Sequence, residues 1–230
     1  MNRRALLALL ATIPALAATA AVRAASGPAR AEAPLLVRAT AVVVPCVEAA
    51  GEAYAATSGH RIAVETGALR PAGAADVVVG TDVEMTRALE SGEAVDETEA
   101  EIARIPWVLA VSTASPVKIS ALADVERSGL DVAVLDGSEA HEARKALAAL
   151  PASRVRATSD AAALRAAPLA LVPLSLAGPG TRVKTDVQPL VASAAVTARA
   201  ARRSEARAFV QFLASEAGQR AFATCGAARD

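Results

Sequence analysis

Few residues in this chain have the type and spacing to do chemistry, and together they exclude more than they suggest. Histidine occurs twice, at His60 and His141. His141-Glu142 begins like a zinc-protease helix, but the position that would hold the second ligand is Lys145, so that motif fails. Neither histidine neighbours a cysteine, so no zinc cluster is expected. Glu93, Asp96, Glu97, Glu99 and Glu101 crowd five acids into nine residues. They lack the glycine and alternating ligands of a calcium loop and read as a solvated connection between a helix and a strand. No glycine-rich phosphate loop ending in Lys-Ser or Lys-Thr, no dinucleotide glycine triplet and no serine elbow is present. The residues therefore point to no enzyme, and no metal and no cofactor are expected.

Composition narrows the partners. Of 230 residues, 53% are apolar and 21% charged, enough to bury a core and too apolar for disorder. The 24 basic and 24 acidic side chains cancel, leaving no basic face for nucleic acid. Aromatics are only 2%, which argues against sugar binding and base stacking.

Asn2-Arg3-Arg4-Ala5-Leu6-Leu7 opens with two charges, and the chain then runs uncharged from Ala5 to Val22. Cleavage-like triplets follow at Val22-Arg23-Ala24 and Ala29-Arg30-Ala31. This is the pattern of a secretory signal over residues 1–31, and the paired arginines suit a twin-arginine export route. A membrane anchor is the competing reading, made less apt by Pro14, Thr12, Thr19 and the weakly apolar alanines. Removing the leader takes four arginines and no acid, so the exported remainder is mildly acidic. In an oxidising compartment its two cysteines, Cys46 and Cys225, read either as one bridge or as two separate buried thiols.

The elements that must position any site alternate. Apolar runs at Leu35–Ala39, Arg61–Glu65, Asp76–Val79, Trp107–Val111, Asp131–Leu135, Leu169–Val172 and Leu190–Val196 read as strands. Helices are expected from Pro45 to Gly59, from a Thr81-Asp82-Val83-Glu84 capping box to Ser91, and around 121–127, 139–150 and 160–166. Two more close the chain, at 204–214 and 215–224. This β-α alternation predicts an α/β fold with mostly parallel sheets flanked by helices. Loops that leave a strand and enter a helix, Thr40–Pro45 and Asp136–Glu139, present free amides and the positive end of a helix dipole.

Four stretches carry a family resemblance. Val37 to Thr57 with Gly59 resembles the first strand, binding loop and first helix of type II periplasmic solute-binding proteins, their molybdate-binding branch above all. Ala74-Ala75-Asp76-Val77-Val78-Val79-Gly80-Thr81-Asp82 is similar to that branch's ADV-apolar-apolar-SAD segment. Trp107 to Pro116 resembles the strand entering the second lobe. Ala206 to Gly226, with Phe209-Val210-Gln211-Phe212-Leu213 and Ser215-Glu216-Ala217-Gly218-Gln219, resembles the FLxFLxSPEGQ ending.

The resemblance implies a two-lobed fold: lobe 1 over 32–108, lobe 2 over 109–191, and a return to lobe 1 over 192–230. It further implies a monomeric periplasmic protein that holds a small oxyanion between the lobes for an inner-membrane ABC permease. A periplasmic partner-binding or sensor module on the same scaffold is the alternative. The positions that correspond to the family's ligand contacts are Thr40, Ala41, Val42, Thr66, Ser138 and Ser175. The chain departs from the pattern where Val42 replaces a serine, where Pro173 replaces a tyrosine, and where Glu65-Thr66-Gly67-Ala68 runs almost directly into Pro71 with its helix shortened or missing. Glu65 and Glu139 stand close to the expected cleft. Thr40 and Thr66 read equally as strand ends, and Ser138 as a helix cap.

Overall fold

The computed structural model describes residues 33–227; the expected export leader and both candidate cleavage sites lie outside the described residues. Two five-stranded sheets form the frame. The first comprises β1 (Leu35–Ala39), β2 (Ile62–Thr66), β3 (Val77–Thr81), β4 (Ala100–Ile105) and the late strand β10 (Leu190–Val196), in the order β2-β1-β3-β10-β4. The second comprises β5 (Trp107–Val111), β6 (Val132–Leu135), β7 (Val155–Thr158), β8 (Leu169–Pro173) and β9 (Thr181–Lys184), in the order β7-β6-β8-β5-β9. The chain passes from the first sheet to the second between Ile105 and Trp107, and returns between Lys184 and Leu190.

The fold is α/β and two-lobed, but each sheet is mixed. In the first sheet β1 pairs parallel with β2 and β3, while β10 runs antiparallel to β3 and β4. The second repeats the plan, with β6 parallel to β7 and β8, and β5 antiparallel to β8 and β9. The antiparallel half is where the chain crosses between sheets, because a strand that arrives from the other layer needs no helical crossover. Three strands, β4, β7 and β9, have no counterpart in the sequence reading. The acidic run between α2 (Asp82–Glu90) and β4 is a connection with a tight turn at Asp96–Thr98, yet its last member, Glu101, sits inside β4.

Helix α1 (Val44–Ser58) starts with a proline in its first turn and ends on Gly59, whose φ of 77° is the left-handed conformation that glycine tolerates. Its buried stripe, Cys46, Val47, Ala50 and Tyr54, lies in the main core. The closing helices α6 (Arg203–Ala214) and α7 (Glu216–Thr224) bring Phe209, Phe212 and Phe222 to that core. The Tyr54 ring meets Phe209 and Phe212 at centroid distances of 5.1 Å each. The helix expected over 139–150 is shorter: a tight turn at Ser138–Ala140, then α4 (His141–Ala146). Short helices α3 (Asp124–Ser128) and α5 (Ala161–Ala166) complete the second layer. No helix stands between β2 and β3.

A single buried acid ties the first sheet together. Asp76 accepts the amides of Leu36, Ala201 and Arg202 and faces the Arg202 guanidinium at 3.4 Å. Arg202 also donates to the carbonyls of Ala33 and Pro34, so the entrance to β1 and the start of α6 share one polar node. Cys46 and Cys225 are joined in a disulfide with Cα atoms 5.4 Å apart.

Candidate functional site

Both sheets have the same switch in strand order. The chain adds β2 on one side of β1 and β3 on the other; it adds β7 on one side of β6 and β8 on the other. Crevices outside the carboxyl ends of such neighbouring parallel strands are where open α/β sheets bind ligands. Thr40 follows β1 and Thr81 ends β3; Asp136-Gly137-Ser138 follows β6, and the turn Leu174–Leu176 follows β8. The four switch-point segments thus each carry a hydroxyl.

At the first switch point, Thr40 is buried and its backbone is fully used. Its amide donates to Val79, and its carbonyl accepts from Val43 and Val44 at the head of α1. Its hydroxyl is buried without a partner, and so is that of Thr81. The capping box expected at Thr81 does not form: the hydroxyl makes no cap, and the Val83 amide is taken by Asp82 instead. Between Thr40 and α1, the amides of Ala41 and Val42 enter no hydrogen bond among the described residues. Ala41 is exposed and Val42 buried. Unpaired donors of this kind, beside a helix N-terminus, are what a buried anion needs.

The structure brings Val42 and Ser175 together. The Ser175 hydroxyl donates to the Val42 carbonyl at 2.7 Å, a bond from the second layer to the first. Ser138 is exposed and caps no helix; the start of the tight turn at 138–140 has no side-chain cap. Thr66 is an exposed strand end opposite Ala39. The next residue, Gly67, donates to the Ala39 carbonyl. Glu65 is held by Arg38 at 2.9 Å. Leu69, fully buried, fills the space beside Gly80 and Thr40, where a side chain on Gly80 would meet Leu69 at 2.7 Å.

A cavity of about 240 Å³ opens between the layers, bounded by Asp82 and Val83 of α2, Trp107 of β5, Ser138, Glu139, His141 and Glu142, and the returning segment at 188–191. Of the residues read as ligand contacts, only Ser138 lines it. Its carboxylates, Asp82, Glu139 and Glu142, make the lining acidic. Trp107, essentially buried, carries an indole N–H with no partner. Among the described residues no three His, Cys, Asp or Glu side chains converge as a metal site, and no helix is long and apolar enough to cross a membrane.

Residues 35–227 match the family of bacterial extracellular solute-binding proteins, and the chain belongs to that family. Among solved structures it is similar to a periplasmic molybdate-binding protein from Azotobacter vinelandii, with a TM-score of 0.73 and 17% identity over 85% of this chain and 99% of that one. A sulfate-binding protein from Mycobacterium tuberculosis superposes with a TM-score of 0.69 at 17% identity, covering 84% of this chain and 86% of the other. Peb3 from Campylobacter jejuni gives 0.68 at 13% identity, over 85% and 100%. At such identities the likeness is one of fold. No curated protein matches the sequence.

Proposed function

We propose that this chain is the exported substrate-binding protein of an ABC transporter, which captures a small oxyanion of the molybdate type between its layers and delivers it to an inner-membrane permease. One observation carries the reading: donors without acceptors gather at the β1–β3 switch point, namely the Ala41 and Val42 amides and the buried Thr40 and Thr81 hydroxyls. Uncharged donors select a dianion without titrating, and the 15-residue helix α1 adds the positive end of its dipole. The folds that molybdate- and sulfate-binding proteins share with this chain support the ligand class. Capture by both layers would stabilise the closed form, as in other hinge-bending binders.

The Ser175–Val42 bond favours a second reading. It occupies the very point where the layers would grip a ligand, as a partner-binding or sensor module with a filled pocket would require. Thermal unfolding of the chain from Glu32 separates the two. With molybdate, tungstate, sulfate or phosphate at a hundredfold excess over Kd, the oxyanion reading expects a stabilisation of roughly 2.7 kcal/mol. An unchanged melting temperature with all four anions would leave the partner-binding module as the better account.

A further inference from the structure

Three features on different parts of the chain meet at one point on the junction of the layers. The first is the disulfide: Cys46 lies in the first turn of α1, immediately after the 40–43 loop, and Cys225 follows the last residue of α7. The second is Gly226, whose φ of 85° turns the chain against the second layer. A Cβ at Gly226 would lie 2.5 Å from the Leu174 Cδ2 and 2.6 Å from its Cγ, so a side chain there would push the Leu174 side chain out of place. The third is Ser175, the next residue after Leu174, which donates to the Val42 carbonyl. The path therefore closes on itself: Val42 to Cys46 along α1, across the disulfide to Cys225, through Gly226 to Leu174, and from Ser175 back to Val42.

We infer that the Cys46–Cys225 disulfide is a clasp on the interlayer junction, which holds Gly226 against Leu174 and so keeps Ser175 on the Val42 carbonyl and the 40–43 loop in position. Neither cysteine touches a ligand on this account; they, Gly226 and Leu174 are positioning residues. The inference rests on the two-layered crevice and not on what fills it. Opening the clasp is a two-electron reduction by an external dithiol. The reductant's thiolate attacks one sulfur, the other cysteine leaves and takes a proton, and the second reductant thiol displaces the remaining cysteine to give two free thiols and an oxidised, cyclic reductant.

Hydrogen exchange on the protein without any anion tests this independently of the oxyanion reading. The reporting amides are Val43 and Val44, bonded to Thr40, and Leu174 and Ala177, bonded to Pro106 and Leu174. On reduction with dithiothreitol, these four should exchange about five- to tenfold faster, the weight of one hydrogen bond. In the oxidised Gly226→Ala protein, amides in the β6–β8 ladder, such as Val134 and Leu171, should be unaffected, whereas reduction also speeds the core amides that exchange by global unfolding. Gly226→Ala in the oxidised protein should accelerate the same four while leaving the disulfide intact. In that oxidised variant, acceleration confined to 224–227, or spread evenly through the β6–β8 ladder, would overturn the clasp. So would a Gly226→Ala protein whose exchange at Leu174 and Ala177 matches the parent.

Discussion

A buried hydroxyl with no partner costs about 1–3 kcal/mol, and the first sheet keeps two of them, at Thr40 and Thr81, on neighbouring strand ends. A purely structural role gives no reason to retain them, whereas a ligand that accepts their hydrogen bonds does. Thr40→Val is therefore expected to raise the free energy of unfolding by about 1 kcal/mol, measured in urea, and to weaken molybdate binding roughly tenfold. A variant less stable than its parent would show that the hydroxyl already has an internal partner and would remove it from the site. Sequence pointed to Thr40, Val42 and Ser175 through a family resemblance, but could not show that Ser175 closes on Val42 from the other layer. It misread Thr81 as a helix cap, since Thr-x-x-Glu has the same letters whether the hydroxyl turns to the helix or into the sheet.

At the scale of elements, the five-residue helix α3 is too short to hold itself and depends on Asp124. Its carboxylate accepts the Ser120 hydroxyl at 2.7 Å and the Ser120 and Ala121 amides at 2.9 and 3.0 Å, and pairs with Arg127. The Ser120 hydrogen bonds, helped by Arg127, hold this carboxyl far below its usual range. A group depressed on folding stabilises the native state above its unfolded pKa, and that contribution fades as pH falls toward the folded value. Carbon-detected NMR should accordingly find the Asp124 carboxyl still ionised at pH 3, and Ser120→Ala should move its midpoint upward. A titration midpoint near the ordinary 3.8 in the parent protein would refute the arrangement. Strong elements such as α1 and β3 were legible because their apolar spacing is their own. β4, β7 and β9 were not: Ala-Glu-Ile-Ala-Arg-Ile, Val-Arg-Ala-Thr and Thr-Arg-Val-Lys mix charge with apolar residues, as outermost strands do. Only the neighbour that pairs with them makes them strands.

Across the whole molecule, the disulfide joins residues 179 apart in a chain of 230 and so constrains most of the unfolded chain. The loop-closure model puts its contribution at about 5 kcal/mol. Urea unfolding with and without reductant should show a lower midpoint in the reduced protein; coincident curves would mean that the purified protein carries no bridge. The alternation of strands and helices made the α/β class readable, but not the antiparallel half of each sheet, because no residue pattern records which strand returns from the other layer. That return has its own consequence. Ile105 and Leu190, the last and first residues on either side of the excursion, are partners in the β4–β10 ladder. Everything between them is spliced in at one rung, like a cassette. Cutting it out and rejoining the rung with a tight turn would leave an ordinary hairpin, so the first layer is a natural starting point for grafting a different second half.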